Sequence, residues 1–534
     1  MERWRTPKVG YALMAALYLL SFPYHPGLRS PNELCRLWQS RAIVDHGVLN
    51  LNATLQQFGM VGDLSCTLTV QEGDRQVLRP CVGPDAPRGG NVVARFYYPS
   101  KAPLLSFLGA PVYWVLSKVH APVSELTQVF WSRLFLTVLP SLLMLVLLRR
   151  FLGAYVSASV ADVATVTYGL GTMAFSYAES FMSHQVTAAL LFATFYVAWR
   201  IERGELKDVA YLGAGALAGL VVMSEYTGAL GVVCVSAYVV ASRWKKWGAL
   251  AKAVGFVVVG ALPFLGAVMA YHQACFGGPL VSGYKFLNDA AYQGWHQGGF
   301  LGIRLPDLNA FVLSFFSPLR GLFALSPFLL VSFFGLKDTR AKDKPIFVML
   351  VALLAANAYF TSSFTYSSWG WTVGPRHLTP LVPFLILPVA LVVERLQATP
   401  SPAGRTWALG MCVSSVLATG LVGFVNYVPD DVSTSLWGLA VPLLGDGFFP
   451  VSWLAAVIPN PISGLLLVVL LAAVTAWLAT KSVELKALPL LLVVALVAHF
   501  GILRLATRSD AHDEGAKKFL ESVWVAPNGV KLPF

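Results

Sequence analysis

Two residues at opposite ends of one polar stretch could do chemistry together: Glu33, in Pro31-Asn32-Glu33, and Lys101, in Lys101-Ala102-Pro103. A carboxylate within hydrogen-bond reach of a hydroxyl is a general base, and an ammonium is a point charge for a phosphate. The pair suits a reaction that deprotonates a nucleophile beside a phosphate leaving group. Two more cations stand in tight turns: Arg320 in Ser317-Pro318-Leu319-Arg320-Gly321 and Arg376 in Gly374-Pro375-Arg376-His377. Glycine and proline beside an arginine fix the backbone and aim the guanidinium, which reads phosphate bidentately. Taken singly, each of these cations also serves as a head-group anchor, the role expected of Arg133 and Lys118.

Glu179, His184, Glu225, Tyr284 and His377 are further site candidates, because polar residues at the edge of apolar segments are costly and need a reason to be there. No G-x-S-x-G, Walker loop or H-E-x-x-H occurs. No Cys/His metal spacing occurs either, and a Glu179/His184 pair leaves a divalent cation open.

The elements that must position these residues are membrane helices. The chain has 534 residues, 56% hydrophobic and only 12% charged, with a mean hydropathy of +0.64, against about 25% charged in ordinary soluble domains. Its formal charge of +12 comes in small basic groups at the ends of apolar runs, which is an orientation signal for a membrane and argues against a nucleic-acid partner. The first 22 residues have a basic start and an apolar core but no small-residue cleavage site, so a retained first helix is expected. Cys35, Cys66 and Cys81 fall in the first polar loop. Cys66–Cys81 is a plausible disulfide in an oxidising space, but three cysteines leave the pairing open.

Helix one (9–24) leaves Arg3, Arg5 and Lys8 inside and puts a long loop (25–129) outside. Its segment 30–47 reads as an amphipathic surface helix starting at Pro31, with Asn32 able to cap it. Residues 102–118 are apolar but short and carry two prolines, so they are expected to lie at the surface rather than cross. Helix two is then 130–148, and Arg149-Arg150 fall inside. The remaining spans follow at 156–176, 183–199, 209–223, 227–242, 252–272, 321–336, 345–362, 377–394, 406–425, 462–480 and 487–504. Every short basic turn between them lies inside, which supports about thirteen spans. The expected organisation is an all-α transmembrane domain over 1–504 and a short outer tail over 505–534. No internal repeat is visible, which weighs against a secondary transporter.

This pattern resembles the GT-C class of membrane glycosyltransferases, and within it the branch of protein O-mannosyltransferases and bacterial aminoarabinose transferases. In that branch a Pro-Asp-Glu-type motif opens the first loop, with aspartate as the usual base; here the matching residues are Pro31-Asn32-Glu33, with Asn32 at the aspartate position. Lys101-Ala102-Pro103 resembles the lysine before prolines that holds the carrier phosphate. The turn between helices five and six usually carries lysine and here carries Glu225. Gly374-Pro375-Arg376-His377 resembles a turn of uncharacterised bacterial members.

The resemblance implies an inverting transferase of the bacterial inner (plasma) membrane, moving a hexosyl or pentosyl group. The donor would be a polyprenyl-phosphate sugar and the acceptor a lipid, glycan or protein at the outer face. Glu33 would be the base, and Lys101, Arg376 and Arg320 would hold the donor phosphate. A lipid-linked oligosaccharide transporter and a noncatalytic envelope-assembly protein are the alternatives.

Overall fold

Helix occupies each of the thirteen apolar stretches in the computed structural model, which describes residues 6–21, 30–87, 89, 91–299, 302–364, 370–399, 402–430, 432–448, 453–459, 461–508 and 511–524. Arg3, Arg5, Ser367, Ser368, Trp369 and the last ten residues of the tail lie outside the described residues. Among the described residues, six helices are long and apolar enough to cross a membrane: Glu125–Leu152, Trp247–Phe276, Lys344–Ser363, Pro402–Val425, Ile462–Glu484 and Pro489–Ala506. The chain is thus a helical, multi-pass membrane protein. Three of the expected helices are broken, the stretch 156–176 at Gly171-Thr172, between Ala158–Leu170 and Met173–Ala178, and two others at prolines. Pro327 interrupts the stretch 321–336, leaving Leu322–Leu325, a 3-10 turn at Pro327–Leu330 and then Val331–Lys342. The stretch 377–394 begins with 3-10 turns at Arg376–Leu378 and Val382–Leu385, around Pro380 and Pro383. Proline supplies no N–H to a helix interior, so both starts stay wound tightly and locally.

The polar loop is better ordered than its sequence suggested. After helix α1 (Pro7–Leu20) come α2 (Pro31–His46), α3 (Asn52–Phe58), strands β1 (Leu64–Glu72), β2 (Arg75–Pro80) and β3 (Asn91–Pro99), and α4 (Leu104–Val119). The strands form an antiparallel sheet in the order β2-β1-β3, which corrects the all-α expectation. Leu68, Val70 and Cys66 turn inward along β1, and the turn Gly73-Asp74, with Gly73 at φ 59°, joins it to β2. That alternation and the two-residue turn are a hairpin signal. A disulfide joins Cys66 to Cys81 with Cα atoms 5.5 Å apart, which settles the open pairing, while Cys35 is buried and free.

The structure also corrects the surface position expected of α2. Pro31 takes the first helical position and Gly47, at φ 66°, ends the helix, as proline and glycine should. Yet residues Asn32 to Ala42 are all buried. The polar ones are consumed by neighbours: Arg41 donates to Gln128 Oε1 at 2.7 Å, Trp38 Nε1 to Glu125 at 2.8 Å, and Ser40 to the Ser106 carbonyl at 2.8 Å. Helix α4 packs across α2, with Tyr113 donating to Asp45 at 2.9 Å. Its 16 residues reach about 24 Å at 1.5 Å per residue, short of the roughly 30 Å hydrocarbon core.

Candidate active site

The end of the sheet sets the geometry. Leu64 pairs with Pro99 across β1 and β3, so the residues just beyond, Asp63 and Ser100-Lys101, are brought together. Ser100 N–H donates to the Asp63 carbonyl at 3.1 Å, and Lys101 Nζ lies 3.1 Å from Asp63 Oδ1. Asp63 adopts φ 59°, a left-handed conformation that Asp and Asn tolerate better than most residues. Burial works against its charge, but Lys101, Arg376 and Arg36 outweigh that and hold its carboxyl below the usual carboxylate range.

The loop at Gly283–Phe286 is stitched to the same strand end. Ser65 Oγ donates to the Gly283 carbonyl at 2.7 Å, and Asn288 N–H to the Leu64 carbonyl at 2.9 Å. Tyr284 is thereby laid beside Lys101, whose ammonium is 5.6 Å from the ring centroid. His296 stacks on the Tyr284 ring with centroids 4.5 Å apart. Burial, then Glu225 and Asp63, push the Tyr284 hydroxyl well above its usual range, so it stays a neutral donor. Burial holds the His296 imidazole below its ordinary pKa.

Below lies a chain of buried polar groups. Arg36, 1% exposed, donates to both the carbonyl and the side-chain oxygen of Asn32 and to Ser183 Oγ at 3.2 Å. Ser183 donates to Glu225 Oε2 at 2.5 Å, and His184 Nδ1 stands 3.5 Å from the same oxygen. The rings of His184 and His377 meet edge-on at 5.4 Å. His377 in turn borders a cavity of about 20 Å³ with Thr227, Gly228, Asn357 and Phe360. Arg376 has no hydrogen-bond or ion-pair partner for its guanidinium among the described residues, and its Nε is buried. The Nε of Arg36 is buried without a partner too. Buried donors left open are rare in a finished core and call for an explanation.

The structure therefore brings Lys101, Tyr284, Glu225, His184, Arg376 and His377 into one region. The other expected residues serve elsewhere. Glu33 is only 5% exposed at its side chain, and Arg133 fills it: Nε and Nη2 lie 3.0 and 2.7 Å from Oε1, and Nη2 lies 3.0 Å from Oε2. The Phe181 N–H adds a fourth bond to Oε1 at 2.5 Å. Both oxygens of this carboxylate are engaged, and Arg133 is its counter-ion rather than a head-group anchor. Asn32 does not cap α2, because its side chain accepts from Arg36.

Arg320 clasps three loops together, donating to Gly370 O at 2.7 Å, Pro429 O at 3.3 Å and Asp430 Oδ1 at 2.8 Å. Glu179 receives the Ser21 hydroxyl; burial pushes its carboxyl well above the usual range against the pull of Arg133. Asp63 and Arg36 were missed by the sequence reading. The signal for Asp63 was the strand alternation that begins one residue after it.

Three solved structures are similar to this chain over most of its length. ArnT from Cupriavidus metallidurans in the apo state matches at 17% identity and a TM-score of 0.48, over 93% of this chain and 77% of that one. The same enzyme bound to undecaprenyl phosphate matches at 15% identity and a TM-score of 0.46, over 93% and 78%. The arabinosyltransferase EmbB from Mycobacterium smegmatis matches at 15% identity and a TM-score of 0.42, over 95% of this chain and 41% of that one. No protein-family model matches the chain, and no curated protein does.

Proposed function

We propose that this protein is a membrane glycosyltransferase that moves a sugar from a polyprenyl-phosphate donor to a lipid, glycan or protein acceptor at the extracytoplasmic face of the bacterial plasma membrane. The observation that carries this reading is the Lys101–Asp63 ion pair, a partly exposed carboxylate on which Arg376 and Arg36 also exert their charge. Three cations around one acid make a net positive pocket, and two of the guanidiniums keep buried donors in reserve. A phosphate monoester or diester supplies the missing charge and acceptors. The stacked rings of Tyr284 and His296 beside Lys101 give the sugar an apolar wall. Lys101 and Arg376 then stabilise the charge that grows on the departing carrier phosphate. Transfer is inverting, by direct displacement at the anomeric carbon.

The orientation follows from about thirteen spans with α4 lying at the membrane surface, so that the polar loop and the tail share the outer side. Reconstitution into proteoliposomes with a panel of radiolabelled polyprenyl-phosphate sugars tests the activity. Transfer of at least one sugar, abolished when donors carry no lipid, is expected. Lack of transfer from every donor, with no saturable binding of polyprenyl phosphate, would overturn it. Cysteine accessibility tests the orientation: position 118 should label from outside and position 150 from inside.

A further inference from the structure

We propose that Asp63 is the catalytic base of the transfer, held ready by an ion pair that the incoming carrier phosphate takes apart. This rests on the sugar-transfer reading and deepens it. A transferase that activates a hydroxyl needs a carboxylate whose oxygen a substrate can reach. Glu33, the acid the sequence points to, has both oxygens occupied by Arg133 and Phe181. Glu179 is wholly buried, accepts from the Ser21 hydroxyl, and is pushed by burial well above the usual carboxylate range. Glu225 is spent on Ser183 and faces His184. Asp63 differs from all three. Its side chain is 26% exposed, and Lys101, 3.1 Å from Oδ1, is the one ion-pair partner of its carboxylate among the described residues.

The position of Asp63 is also fixed firmly enough for the task. Its backbone carbonyl is tied to Ser100, the next residue begins β1, and the facing strand ends at Pro99. The charged and titratable groups facing it are Lys101, Arg376 and Arg36, with Tyr284, His296 and Cys35. The charges of Lys101, Arg376 and Arg36 outweigh its burial, so the resting carboxylate is held ionised but weakly basic. A carrier phosphate entering among Lys101, Arg376 and Arg36 competes for those cations. As Lys101 turns to the phosphate, Asp63 loses its ion pair and its basicity rises toward that of an ordinary carboxylate.

The step then balances without any further reagent. The acceptor O–H proton passes to Asp63, the acceptor oxygen forms a bond to the anomeric carbon, and the bond from that carbon to the carrier phosphate oxygen breaks. The electron pair leaves on polyprenyl phosphate, where Lys101 and Arg376 meet it.

The test compares Asp63→Asn, Asp63→Glu and Glu33→Gln with the wild-type enzyme in proteoliposomes, using a donor the wild type accepts. Asp63→Asn should lower kcat about 10²- to 10⁴-fold while polyprenyl-phosphate binding stays within a few-fold of wild type. The acid limb of the wild-type kcat/KM profile should vanish in this variant, and Asp63→Glu should restore part of the rate together with the limb. The proposal is overturned if Asp63→Asn keeps near-normal turnover or retains the acid limb. It is overturned equally if carrier binding falls in step with turnover, which marks a structural ion pair. Loss of the limb in folded Glu33→Gln protein instead would return the base to Glu33. A wild-type protein inert toward every donor would overturn the transfer reading itself, and the base with it.

Discussion

The two ends of the helical body handle charge in opposite ways. At the end holding Arg149 and Arg243, charges close on one another. Asp162 takes both Tyr11 and Arg149, Arg243 is shared by Glu202 and Asp208, Asp343 takes the Tyr155 hydroxyl, and Arg395 meets Asp338 at 2.6 Å. At the end holding the sheet, Glu33 is closed by Arg133 and Arg320 by Asp430, but other charged groups beside them are left open. Arg376 and Arg36 keep unpartnered donors, and the Asp63 carboxylate stays partly exposed beside Lys101. Groups satisfied by the chain itself hold the fold, whereas each buried donor left unsatisfied costs about 1–3 kcal/mol, a cost that the proposed carrier phosphate would offset.

The comparison breaks most sharply at Arg133. Arg133→Ala strands the buried Glu33 carboxylate, and losing one partner of such a pair costs about 3–5 kcal/mol. Thermal unfolding in detergent should show a large loss of stability; a near-normal Tm would mean that Glu33 is free to act. Removing the Cys66–Cys81 bridge, which spans a sequence separation of 15, should cost about 3 kcal/mol by loop entropy, seen as earlier proteolysis of the outer loop. Arg376→Ala should leave unfolding nearly unchanged but weaken donor use by about 1.5–3 kcal/mol, or roughly 10- to 150-fold, with acceptor KM unaffected. Lys101→Ala should do the same, and unchanged donor kinetics in both variants would make these cations head-group anchors. The smallest effect belongs to the closed end: breaking the half-exposed Arg395–Asp338 pair should cost only about 0.2–1 kcal/mol.

Acidity sharpens the same contrast. The Asp63 carboxyl is depressed in the folded state, so its contribution to stability is present above its unfolded pKa of about 3.9 and is lost as pH falls through the lower folded value. Asp63→Asn should flatten that part of the pH–stability curve, measurable by unfolding at a series of acidic pH values.

The helical body was legible because hydropathy and basic turns report directly on a membrane solvent. Lys101 and Arg376 were legible because proline and glycine announce a turn around a cation. The base was not, because the acid was sought beside the motif Pro31-Asn32-Glu33 and the counter-ion of Glu33 lies a hundred residues away at Arg133. Nothing local to Glu33 records that pairing. The partner of Lys101 was hidden by the loop: charges and glycines between Asn52 and Arg95 masked the alternation of β1, and without the sheet register Asp63 had no address. Arg36 reads as one more cation on a surface helix until α2 is found to be buried.

Directly after Arg133, residues Leu134–Val138 wind as a π-turn inside the helical run Glu125–Leu152. A π-turn accommodates one residue more than an α-turn, and one residue is about 100° of rotation around the axis. The two halves of this helix are therefore out of phase by design. The first half points Gln128 and Arg133 at α2, and the second points Arg149 at Asp162. Lineages of this chain should accept substitutions within 134–138 far more readily than a change of length there. Deleting one of those residues would straighten the helix and force a choice between the Glu33 partner at one end and the Asp162 partner at the other.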